Sequence, residues 1–95
     1  MGIKEEYQKE LQDQLDEWGK DIDKLKAVAE KAKAGLQVEY YKEIDELKDL
    51  QGEAQLKLQD LKEESGDAWD DLKLGVELAW AALGDALKSA SSRFK

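Results

Sequence analysis

The 95-residue chain contains no cysteine, histidine, proline, asparagine or threonine. Without cysteine it has neither a disulfide nor a thiolate metal site, and its redox compartment stays open. Without histidine it lacks the usual general base near neutral pH. Without proline nothing in the chain forces a helix to stop. With asparagine and threonine also missing, few turns are expected. Serine occurs only at positions 65, 89, 91 and 92. No nucleophile elbow is present, and Gly19, Gly35, Gly52 and Gly66 are too far apart to form a phosphate-binding loop. The longest uncharged run, Leu78–Gly84, is far short of the ~20 residues that span a bilayer. Charges begin at Lys4, Glu5 and Glu6, so no signal-peptide core is expected. These absences lead us to expect a cytoplasmic, non-enzymatic protein with no cofactor and no metal.

What is present is charge and apolar surface in near-equal measure, 40 % and 41 %. Combined with helical periodicity, that balance reads as long helix or coiled coil. The net charge is −8, and it is uneven. Residues 1–66 hold 18 acidic and 11 basic side chains, and residues 67–95 hold 5 and 4. An acidic surface excludes nucleic acid as a partner, because phosphates need clustered Lys and Arg. It also disfavours anionic membranes.

One stretch, residues 3–64, dominates the pattern. Leu11, Leu15, Trp18, Ile22, Leu25, Ala29, Ala32 and Leu36 follow at alternating steps of four and three, a heptad seam with Trp18 as its largest knob. The stripe continues through Tyr40, Ile44, Leu47, Leu50, Ala54, Leu58 and Leu61. The mean step is about 3.57 residues, which predicts a nearly straight bundle with a mild left-handed twist. At Leu36–Tyr40–Ile44–Leu47 the steps become 4, 4, 3, a phase shift expected to relax the supercoil. A short motif recurs as Ile22-Asp23-Lys24-Leu25-Lys26, Ile44-Asp45-Glu46-Leu47-Lys48, Leu58-Gln59-Asp60-Leu61-Lys62 and Trp69-Asp70-Asp71-Leu72-Lys73. Glu5–Lys9 and Asp16–Lys20 are i,i+4 pairs in the favourable order.

The pattern predicts an all-α single domain. A long coiled-coil helix over 3–64 turns at 65–66 into a Trp-bearing helix over 67–92, and residues 93–95 fray. Gly66 would take the left-handed position at the helix end, with Asp67 capping the next helix and Asp70 at its third position. The alternative is a three-helix bundle with turns near Gly35 and Gly66. Lys31 and Lys33 precede Gly35 as a C-terminal turn would have them, but no capping residue follows.

In the second helix Trp69, Leu72, Val76, Trp80, Leu83, Leu87, Ala90 and Phe94 share one stripe, with Leu74 and Leu78 opposite. A helix apolar on two sides is usually buried on two sides. A hairpin would leave the N-terminal half of a helix about 93 Å long uncovered. The expected partner is another copy, giving a dimer or larger homo-oligomer. Val38 and Leu56, with Tyr41 near them, suggest a second contact. Glu39–Glu43 and Asp49–Glu53 are like-charged i,i+4 pairs that read better as a solvated face than as a cation site. Trp18, Trp69, Trp80 and Tyr40 read better as core than as a ligand box.

The segment Ser65-Gly66-Asp67-Ala68-Trp69-Asp70-Asp71-Leu72-Lys73 leads into Gly75-Val76-Glu77 and Ala79-Trp80. Leu83-Gly84-Asp85-Ala86-Leu87-Lys88-Ser89-Ala90 and Ser92-Arg93-Phe94 complete it. This run resembles the end of the small bacterial coiled-coil proteins of a stress-response family with a cyanobacterial prototype. Leu15-Asp16-Glu17-Trp18 resembles the same family, while Gly35, Leu74 and Leu78 stand apart from its pattern. The resemblance implies a role in stress tolerance and brings no catalytic residues. Two other functions remain open on the residues: reversible lipid-surface binding through the C-terminal helix, and an adaptor that accepts a partner helix.

Overall fold

Two breaks divide the chain into three helices of similar length. In the computed structural model, which describes residues 2–64 and 66–94, α1 is Ile3–Lys31, α2 is Ala34–Glu63 and α3 is Trp69–Arg93. The chain is all-α, and the long helix expected over 3–64 is interrupted. Ala32 (φ −75, ψ 160) and Lys33 (φ −62, ψ 149) are both extended, and together they reverse the chain. The arrangement with turns near Gly35 and Gly66 is therefore the one adopted. Gly35 itself is not the hinge; it lies in the first turn of α2.

The comparison of energies explains the break. A continuous helix would keep a few more backbone hydrogen bonds, each worth about 0.5–1.5 kcal/mol net. Folding back removes Leu15, Ile22, Leu25 and Ala29 from water, and each large side chain contributes about 1.5–3 kcal/mol. Some of the lost bonding is also recovered. The N–H groups of Leu36 and Gln37 both donate to Lys33 O at 2.9 Å. Gln37 Nε2 donates to Glu30 O at 3.0 Å, across the turn. The 4, 4, 3 steps at Leu36–Tyr40–Ile44–Leu47 lie inside α2, just after the junction at Ala32–Lys33. Burial resumes at Tyr40, and Leu36 is left 44 % exposed.

The second turn also differs in detail. No described glycine has a positive φ, so Gly66 is not left-handed. Asp67 does not cap α3; the N-cap is Ala68, with no side-chain cap. The turn is held by Gly66 N–H donating to Glu64 Oε1 at 2.8 Å and by Trp69 N–H donating to Gly66 O at 3.3 Å. Asp70 and Asp71 face the positive helix end in the first turn. Ser65, part of the expected turn, lies outside the described residues. At the other end the expected fraying does not occur at 93–94. α3 runs to Arg93, and Phe94 is buried because its ring has a partner: it stacks on Tyr40 at 4.1 Å, with 22° between planes. Lys95 lies outside the described residues.

The helices run up, down and up in a bundle of 51 × 20 × 18 Å. α2 packs closely on both neighbours, while α1 and α3 stand further apart. Large side chains fill that wider gap. Tyr7 meets Trp69 edge-on at 5.9 Å between centroids, and a Cβ on Gly84 would lie 3.3 Å from the Trp18 ring. Gly84 thus permits the closest approach of α3 to Trp18.

The turn at Ala32–Lys33 generates a direct test. Lys33 has a proline-like φ and donates no backbone bond, and Ala32 is already in the extended basin that proline requires before it. The Lys33→Pro variant should keep or raise stability, by up to about 1 kcal/mol. In an unbroken helix the same change would cost about 3 kcal/mol or more. Urea unfolding followed by circular dichroism separates the two.

Candidate functional site

Most of the residues singled out from the pattern form one core. Leu15, Ile22 and Leu25 of α1 meet Tyr40, Ile44, Leu47, Leu58 and Leu61 of α2. Trp69, Val76, Trp80, Leu83 and Leu87 of α3 complete it, with Ala29, Ala54, Ala90 and Phe94. Leu11, Trp18 and Leu72 are half-buried against this cluster. Leu36 does not join it. The seam expected to need a second subunit is covered within the chain by α2 and α3. No polar or charged residue is buried among those described.

Two indoles are the polar exceptions inside. Trp69 Nε1 and Trp80 Nε1 are buried without a hydrogen-bond partner. Each unmet N–H costs about 1–3 kcal/mol. Burying the ring returns roughly 4–6 kcal/mol, from about 150–250 Å² at about 25 cal/mol/Å². The ring burial wins, so these tryptophans are structural.

The end of the bundle around Trp69 has its own polar arrangement. Lys4 Nζ lies 4.9 Å and Lys73 Nζ 5.7 Å from the Trp69 ring centroid, and Lys73 Nζ lies 5.0 Å from that of Tyr7. Tyr7 OH donates to Glu77 Oε1 at 3.3 Å. Desolvation raises the Tyr7 phenol above its ordinary 10, and the charge and hydrogen bond of Glu77 raise it further. On the facing side, Gln12 and Gln55 exchange amide hydrogen bonds at 3.2 Å between α1 and α2.

Surface charges are mostly unpaired. Among the described residues the one ion pair is Arg93 with Glu43, at 2.8 Å. Glu5–Lys9 and Asp16–Lys20 do not close; Asp16 Oδ1 instead accepts from Gln12 Nε2 at 3.1 Å. Exposed i,i+4 pairs gain too little to hold two long side chains in place. Among the described residues no group of three or more acidic side chains is arranged to hold a metal ion. No described helix is long and apolar enough to cross a membrane.

What remains for interaction is on the outside. Leu74 and Leu78 are 61 % and 73 % exposed on α3, and Val38, Tyr41 and Leu56 are exposed on α2. Ala81 and Ala82 are exposed too, so Leu74, Leu78, Ala81 and Ala82 form a second apolar stripe along α3, opposite its core face. Pattern reading also missed a groove between α2 and α3, lined by Leu36, Glu43, Glu46, Leu50, Ala86 and Arg93 among others. Its signal was faint: small residues at Ala79, Ala82, Ala86 and Ser89 on one edge of α3. Compared with family models, curated proteins and solved structures, the chain matches none.

The Tyr7–Glu77 contact predicts an alkaline transition. A phenol raised above 10 contributes stability that is fully present below pH 10 and lost as pH rises through the folded value. Absorbance titration at high pH should show one tyrosine ionising late, and Tyr7→Phe should remove that late component. If Tyr7→Phe leaves the late component in place, the contact does not govern the phenol.

Proposed function

We propose that the protein is a non-enzymatic, self-associating helical bundle whose copies meet through the outer stripe of α3. The observation that carries this reading is Leu74 and Leu78 on a face the chain's own core does not use. The charge distribution supports it. Residues 67–95 are close to neutral while residues 1–66 hold most of the acidity, so contact through α3 meets the least repulsion between copies. The resemblance of residues 65–94 to the stress-response family supports a role in bacterial stress tolerance.

Magnitudes set the expected strength. Four leucines from two copies would contribute about 6–12 kcal/mol, against roughly 4–15 kcal/mol for association. The dimer is therefore weak and concentration-dependent. A lipid surface is the competing occupant of the same stripe. Asp71 and Asp85 border it, and anionic headgroups repel them.

Sedimentation over a concentration series tests the proposal. The wild type should shift toward dimer as concentration rises, and Leu74→Glu with Leu78→Glu should hold it monomeric with unchanged helicity. A wild type that stays monomeric up to about 1 mM, where association beyond about −4 kcal/mol would register, would overturn it.

A further inference from the structure

A different surface points to a different partner. The groove between α2 and α3 is lined by those two helices alone. One cavity of about 480 Å³ opens at Leu36, Tyr40 and Arg93, and another of about 550 Å³ lies on α2 alone, along Asp49, Leu50 and Glu53. A smaller third, lined by Leu47, Leu50, Ala86 and Ala90 among others, lies beside them, and Glu46 lines all three. The accessible floor is apolar at Leu36, Leu50 and Ala86, with Tyr40, Leu47 and Ala90 buried beneath it. The α2 rim carries five carboxylates, Glu39, Glu43, Glu46, Asp49 and Glu53, against one lysine, Lys42. Among the described residues only Glu43 of these has a cation within ion-pairing distance.

We infer that this groove docks a basic amphipathic helix from another protein. The apolar floor suits the apolar stripe of a helix. From Leu36 to Leu50 it runs about 21 Å, the length of about 14 helical residues. The unpaired carboxylates along α2 suit Lys or Arg on the flank of that stripe. A second copy is a poor occupant, because the chain carries net −8 and would bring its own acidic rim. Anionic lipid and nucleic acid are repelled for the same reason. The inference does not depend on self-association through α3, since Leu74 and Leu78 lie outside the groove.

The probe is a fluorescein-labelled peptide of about 18 residues, built from Leu, Ala and Lys with one apolar stripe. Anisotropy should rise on adding the protein. Affinity should fall at least about tenfold at 1 M salt, where the Debye length is about 3 Å. The exposed pair Glu46→Lys with Glu53→Lys should also weaken binding about tenfold. Leu36→Ser should weaken it at low and high salt alike. Asp13→Lys with Asp23→Lys changes the net charge equally on α1 and should cost less than about threefold. Circular dichroism confirms that each variant folds.

Three results would overturn the inference. The first is equal loss from the α1 control, which marks a general polycation effect. The second is equal binding of a scrambled peptide of the same composition. The third is a change in self-association, rather than in peptide binding, when the groove is substituted.

Discussion

Leu15, Ile22, Leu25 and Ala29 stand on one face of α1, and the rest of the chain is arranged to cover them. That cover is α2 and α3, which already share an interface of their own. α2 holds the central place because its inward face is small or branched at Ala54, Leu58 and Leu61, all fully buried. Close packing there brings α2 near both neighbours, and the wider α1–α3 gap is left to Trp18, Trp69 and Tyr7. The turn at Ala32–Lys33 is the consequence of that burial, since no proline, capping side chain or left-handed glycine enforces it.

The same partition governs what the outside can do. Among the described residues no charged group is buried, so their charge is on the surface, where salt screens it. Stability then rests on apolar packing, and electrostatics acts mainly on partners. The acidity is concentrated before residue 67, which is why the proposed contact between copies is placed on α3. The α2–α3 groove offers a surface that a cation can approach. On the two proposals above, a single bundle would present two surfaces of opposite preference.

Most of the core was legible in the sequence because the recurring pairs Ile22–Leu25, Ile44–Leu47, Leu58–Leu61 and Trp69–Leu72 each put two apolar residues on one helix face. Helical periodicity reads the face and not the partner. The stripe passes from Ala32 to Leu36 with a step of four, which a continuous helix also allows, and so the reversal was invisible to spacing. Turn chemistry was illegible for a related reason: Ala68 caps nothing with its side chain, and Glu64 holds the second turn from an unexpected position. Phe94 lay on the core stripe by spacing, yet its stacking on Tyr40 depends on the fold-back at the opposite end of α2. The groove needed two helices side by side before its acidic rim and small-residue edge could meet.

Small-angle X-ray scattering of a dilute, monomeric sample tests the fold-back most directly. A three-helix bundle has a Cα radius of gyration of 15.4 Å and a longest extent of 51 Å, and scattering should return a compact particle of that scale. A hairpin built on an unbroken helix over 3–64 would give a maximum dimension of about 93 Å, and that result would contradict the account.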